Sequence, residues 1–217
     1  MAMISVKNLC KEYGENKIFD NLNLDIFDGE VLAILGESGS GKTTLLNILA
    51  GLTEFKGEIN GVQRPISMVF QKDMLVKNLT VKENLLLVNK NVDVEKALSQ
   101  VGLAEKKDEF IKNLSGGMAR RVAILRALIY QSKILFLDEP FTNLDLATKF
   151  SLMNLIKDKK HEKMVVFVTH DIKEAVYLAD RILVLSKGKI VCDIDKINKN
   201  TEKKLFDILI NLGENVY

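Results

Sequence analysis

The chain has 217 residues, 47% of them hydrophobic, enough to bury a sizeable core and to exclude an intrinsically disordered class. Lys plus Arg number 31 and Asp plus Glu 29, a formal net charge of +2, so no general electrostatic pull toward nucleic acid or an anionic membrane is expected and partners must be met at specific sites. The two cysteines, Cys10 and Cys192, lie far apart beside strand-like sequence and read as packed, reduced thiols.

In chain order, "ISVKNLCKEYG" and "IFDNLNLDIFDGE" read as short strands with turns, and "VLAIL" at 31–35 as a buried strand followed by the helix "KTTLLNILAGL". Two further short strand candidates follow, "GEING" and "ISMVFQ". From about Lys72 to Gln131 the pattern turns helical, in "TVKENLLLV", "DVEKALSQVGL" and "GMARRVAILRALIY". Strand character returns in "KILFLDEP", then a helix over 146–158, the strand "MVVFVTH", the short helix "DIKEAVYLA" and the hairpin "RILVLSKGKIVCDI", turning at Lys187 and Gly188. The tail "TEKKLFDILINL" places Leu205, Ile208, Leu209 and Leu212 on one face of a helix expected to pack on the core. Strands alternating with helices predict an α/β fold with a mainly parallel sheet, an N-terminal antiparallel β part and an inserted helical lobe. The expected division is a single domain over 1–217, with 1–71 and 132–217 as core and 72–131 as lobe. The start lacks a basic segment followed by an apolar one, and the runs "LLLV" and "MVVFV" fall far short of a membrane span. A soluble, cytosolic chain is expected, working at a membrane only through another subunit.

"GESGSGKTT" at 36–44 fits the P-loop spacing behind a strand and ahead of a helix. Gly36, Glu37, Ser38, Gly39, Ser40, Gly41 and Thr44 would turn backbone N–H groups toward phosphates, Lys42 would reach the β- and γ-phosphates, and the Thr43 hydroxyl can bind Mg²⁺. A dinucleotide site is excluded, because no third glycine follows at the required spacing. "ILFLDEP" ends a strand in two acids: Asp138 has the position to hold Mg²⁺ through water, and Glu139 to orient and polarise an attacking water. Gln71 and His170 each end a strand candidate. Gln71 can reach Mg²⁺ or the attacking water, and His170 the γ-phosphate. His161, in "KDKKHEK", reads as part of a solvated face.

A second phosphate cradle stands in "KNLSGGMARR". Ser115 reads as an N-cap, and Gly116 and Gly117 open a helix, so hydroxyl, N–H groups and helix dipole can face an anion. No lysine accompanies it. The economical reading is that this cap binds the γ-phosphate of a nucleotide held by another copy, in a two-fold dimer around two nucleotides.

These motifs, in this order, resemble the ATP-binding cassette (ABC) superfamily over essentially the whole chain. "GESGSGKTT" looks like its Walker A, Gln71 its Q-loop, "LSGGM" its signature, "ILFLDEP" its Walker B with catalytic Glu139, "NLD" at 143–145 its D-loop and His170 its switch histidine. The resemblance implies ATP and Mg²⁺ as cofactors, Tyr13 stacked on adenine, a head-to-tail homodimer formed on ATP binding, and ATP hydrolysis coupled to transport by transmembrane permease subunits on the inner face of the membrane. "LSGGMARRVAI", "DEPFTNLD" and "THDIKEAVYLADRILVLS" look most like cassettes of nitrate, sulfonate and taurine type importers, which implies an extracytoplasmic solute-binding protein in the complex. Met118 departs from the glutamine or glutamate common at its position. The stretch "KDMLVKNLTVKENL" lacks the proline often seen there, and its Leu75, Val76 and Leu79 read either as a groove for a permease helix or as lobe core. The rival readings are an exporter or lipid-transfer ATPase, and a soluble cassette of the iron–sulfur assembly or cell-division type.

Overall fold

The computed structural model describes residues 2–214. Its first two strands, β1 (Ala2–Tyr13) and β2 (Asn16–Phe27), form an antiparallel hairpin, and β4 (Lys56–Asn60) pairs with the other edge of β1. Both hairpin strands are longer than the short segments expected. Asn8 and Asn21 sit at φ 52° and 59° close to shifts in the strand register, and asparagine tolerates this left-handed region. What reads as breaks in the sequence is therefore carried through as bulges.

The second sheet has six strands in the order β5-β6-β7-β3-β8-β9. They are β3 (Val31–Leu35), β5 (Ile66–Val69), β6 (Ile134–Asp138), β7 (Met164–Thr169), β8 (Arg181–Ser186) and β9 (Lys189–Ile194). All neighbours are parallel except β8 and β9. Every residue of β3, β6 and β7 is buried, as expected of parallel strands covered on both faces. Alternate residues divide between two cores. Leu32, Ile34, Phe136, Val166 and Val168 pack with α1 (Lys42–Leu49) and the antiparallel sheet. Val31, Ala33, Leu35, Leu137, Val165 and Phe167 face residues of α4 (Gly116–Ile129), α5 (Leu146–Asp158), α6 (Ile172–Leu178) and α7 (Thr201–Glu214). Leu205 of α7 is fully buried and Ile208, Leu209 and Leu212 pack against the same core, as their spacing predicts. The helices between β5 and β6 are α2 (Val81–Leu86), α3 (Val94–Ser99) and α4.

β5 stops at Val69, two residues short of the strand end expected at Gln71, because the carbonyls of Phe70 and Gln71 turn away to accept hydrogen bonds from Arg120 of α4. The hairpin β8–β9 turns at Lys187 (φ 46°) and Gly188 (φ 73°), the positive pair of a type I′ turn. A side chain on Gly188 would run into the carbonyl of Ile18, and its N–H donates to the carbonyl of Ser40 at 3.3 Å, so this turn props the 36–44 loop. Gly188→Ala is accordingly expected to cost about 2 kcal/mol or more, read as a lowered urea midpoint, since left-handed strain and a backbone clash add.

Candidate active site

Parallel pairing carries four strand ends to one edge. The register sets Leu35 beside Thr169, Asp138 beside Val168 and Val69 beside Leu137, so the segments that follow β3, β7, β6 and β5 emerge side by side, one strand spacing apart. Residues 36–44, His170, Glu139 and Gln71 are thereby neighbours despite their distance in sequence. They surround a cavity of about 750 Å³ whose lining includes Tyr13, Ser38, Gly39, Gly41, Lys42, Thr43, Thr44, Gln71, Glu139 and His170. That size suits a nucleotide-scale ligand.

The loop is built for an anion. Gly39 and Gly41 hold φ 80° and 104°, where a side chain would be strained, and at Gly41 it would also press on Phe19 and Ile18. Gly36 lies beneath, where a Cβ would strike the carbonyl of Leu185. Lys42 donates to the carbonyls of Gly36 and Glu37 at 2.8 Å each, which arches its chain over the loop. Ser40 Oγ is buried and, among the described residues, lacks a hydrogen-bond partner. Thr43 Oγ1 donates to Asp138 Oδ1 at 3.0 Å, bringing together two hard oxygen donors of the kind Mg²⁺ takes. Burial lowers the pKa of Lys42 against the pull of Glu139 and Asp138. Burial also raises that of Asp138, against its bond from Thr43. A polyanion over Lys42 and a divalent cation at Asp138 would compensate both charges, so the donor set fits a magnesium nucleotide.

Glu139 holds a left-handed backbone at φ 46°, uncommon outside glycine and found where a site needs a side chain aimed against local preference. Its N–H donates to the carbonyl of Val168 at 3.1 Å. His170 Nδ1 lies 2.8 Å from Glu139 Oε2, with the imidazole largely exposed to the cavity and the carboxylate mostly buried. Thr142 Oγ1 donates to Glu139 Oε2 at 3.3 Å and lines the same cavity. Behind His170, Thr169 Oγ1 donates to Glu174 Oε2 at 2.6 Å, and Glu174 Oε1 pairs with Lys149 of α5 at 2.5 Å. Motif reading missed Thr142, Thr169, Glu174 and Lys149. Thr142 alone carried a signal, in its place three residues after Glu139.

Ser115 caps α4, accepting from the Met118 N–H at 3.3 Å. Ser115 and Gly116 are exposed, and neither they nor Gly117 line the cavity around Lys42. The structure thus gathers the P-loop, Gln71, Asp138, Glu139, His170 and Tyr13 in one place and sets the second cradle apart. Tyr13 ends β1, 51% exposed, with Lys11 Nζ 4.5 Å from its ring centroid. Among the described residues, no helix is long and apolar enough to cross a membrane.

Residues 19–142 match the family model described as ABC transporter. The chain is 42% identical to an aliphatic sulfonates import ATP-binding protein of Paraburkholderia xenovorans (strain LB400), over 95% of this chain and 86% of that one. It is 44% identical to one of Pseudomonas syringae pv. syringae (strain B728a), over 87% and 71%. Among solved structures, the dimeric structure of the bacterial ABC transporter cassette MJ0796 superposes with a TM-score of 0.78 at 33% identity, covering 90% of this chain and 99% of that one. A post-hydrolysis dimer of the same cassette, bound to ADP and Pi, gives 0.78 at 31% identity over the same shares.

Proposed function

The chain belongs to the ABC transporter family, and from that membership we propose that it is the ATP-hydrolysing subunit of a membrane importer whose solute is an organic sulfonate. The observation that carries the catalytic part is the convergence of the P-loop, the Thr43–Asp138 pair and the Glu139–His170 pair on one sheet edge. Residues 1–71 and 132–217 serve as the ATP-binding core and 72–131 as the lobe.

Residues 36–44 hold the phosphates by backbone N–H groups and the N-terminus of α1, and Lys42 bridges the β- and γ-oxygens. Tyr13 stacks on adenine. Thr43, Asp138 and Gln71 would hold Mg²⁺, which when bound neutralises charge on the β- and γ-phosphates. Glu139 would accept a proton from the water that attacks the γ-phosphorus, as the bond to the β–γ bridging oxygen breaks and ADP leaves with phosphate as the other product. His170 keeps that carboxylate aimed and contacts the γ-phosphate. Ser115, Gly116 and Gly117 meet the nucleotide of a second copy, so ATP closes a homodimer and hydrolysis releases it.

Of the three residues read as permease groove or lobe core, Leu75 is buried in the core, Leu79 is half-buried and Val76 is exposed, as is the adjacent-but-one Met74. Met74 and Val76 offer apolar contact to a permease segment, and through it the chain sits on the cytoplasmic side of the membrane with a solute-binding protein completing the complex. Deleting the gene is expected to abolish growth on an aliphatic sulfonate as sole sulfur source. Undiminished growth and uptake would overturn the cargo assignment while leaving the ATPase assignment to be tested on purified protein.

A further inference from the structure

The segment that follows β5 is held by side chains of two helices, α4 and α2. Arg120, on the second turn of α4, is 6% exposed. Its Nη1 donates to the carbonyl of Phe70 at 2.6 Å, its Nη2 to that of Gln71 at 2.5 Å, and Nη1 lies 3.1 Å from Asp73 Oδ1. Farther along the same helix, Arg126 Nη2 donates to the carbonyl of Met74 at 2.7 Å. Asn84 of α2, fully buried, accepts from the N–H of Val76 at 2.9 Å and donates to its carbonyl at 3.1 Å.

A buried guanidinium is tolerated when its charge and donors are met, and here two carbonyls accept hydrogen bonds while the Asp73 carboxylate beside it balances the charge. Such charge-assisted bonds are short and directional, so they fix the backbone from which the Gln71 side chain springs. α4 opens at Gly116 behind its cap Ser115, so one helix bears the second phosphate cradle at its start and grips Gln71 about one turn farther on. A shift of the cradle must carry the Phe70 and Gln71 carbonyls with it or break the Arg120 bonds.

We propose that Arg120 is a positioning residue that ties Gln71 to the helix of the Ser115 cradle, so that phosphate contact made by that cradle in one site sets the placement of Gln71 in the other. The inference rests on the roles proposed above for Gln71 and for the cradle. Arg120 lies within the stretch "LSGGMARRVAI", two residues past "LSGGM", and read from the sequence it carries no role of its own.

The test is a double-mutant cycle on the full chain with Gln71→Ala, Arg120→Met and both. It reads the ATP turnover rate and the affinity for a fluorescent ATP analogue, with Mg²⁺ and with EDTA. Arg120→Met is expected to lower turnover about tenfold or more and to weaken analogue binding in Mg²⁺ but not in EDTA. In the Gln71→Ala background the same change is expected to cost less than about twofold, since a residue acting through Gln71 has little left to disturb. Arg120→Lys keeps the charge against Asp73 and one carbonyl bond; it should recover part of the loss, and it supplies the cycle if the methionine variant does not fold. Multiplying effects, or a folded Arg120 variant with wild-type turnover and Mg²⁺ dependence, overturn the proposal. A silent Gln71→Ala single variant overturns it too, by removing the role of Gln71 on which it rests, and that failure is read apart from any Arg120 result.

Discussion

Glu139→Gln is expected to leave ATP affinity within about twofold of wild type while lowering the hydrolysis rate by roughly 10³-fold, the range lost when a positioned general base is removed. The amide has the shape of the carboxylate, so the contacts from His170 at 2.8 Å and Thr142 at 3.3 Å have an oxygen to meet, and the left-handed backbone at φ 46° is unchanged. Proton acceptance is what the variant loses. Lys42, Thr43 and Asp138 are untouched, so the nucleotide still binds and dimers closed by ATP accumulate. Light scattering with saturating MgATP should show a dimer that persists in the variant and decays in wild type. Turnover near the wild-type rate would remove Glu139 from its role.

The second large effect belongs to Ser115. Ser115→Arg removes the oxygen that accepts the Met118 N–H, a cap loss of about 1 kcal/mol, and sets a long side chain on an exposed helix start outside the cavity around Lys42. Binding of nucleotide to the single chain is expected to stay within about twofold, whereas ATP-driven dimerisation is expected to fall by about two orders of magnitude, since the proposed charge-assisted phosphate contact would be replaced by a steric block. A mixing experiment separates a cradle that serves a second copy from one that serves its own. Lys42→Ala damages the P-loop and leaves the cradle; Ser115→Arg does the converse. Mixed, they contain one composite site with both halves intact and one arginine block instead of two, and ATP-dependent association is expected to return in part. If the cradle served its own chain, the mixture would contain no intact site and association would stay absent.

Fold class was legible because its signals are local. Strands covered on both faces read as unbroken apolar runs, and those runs became β3, β6 and β7. Lys187 and Gly188 mark their turn because few residue pairs accept two positive φ values in succession. The P-loop was legible for the same reason, as strand, glycines, lysine and helix start must all fall within a dozen residues. Where the reading fell short, the cause lay elsewhere in the chain. The hairpin β1–β2 runs through its apparent breaks because Asn8 and Asn21 absorb the irregularity, and β5 ends early because an arginine 50 residues away takes the carbonyl of Phe70.

What the sequence determined by itself was therefore the chemical inventory: a phosphate loop, two acids at one strand end, a glutamine and a histidine at two others, and a cradle without a lysine. Tertiary structure decided which of them meet. Strand order placed β7 between β3 and β6, so Glu139 and His170, 31 positions apart, stand 2.8 Å from each other. Packing of α4 brought Arg120 onto Gln71, and the same helix turned the Ser115 cradle away from the cavity that holds Lys42. Spacing along a chain constrains groups within a turn or a strand, whereas the approach of distant segments depends on sheet register and helix packing, which no local pattern encodes.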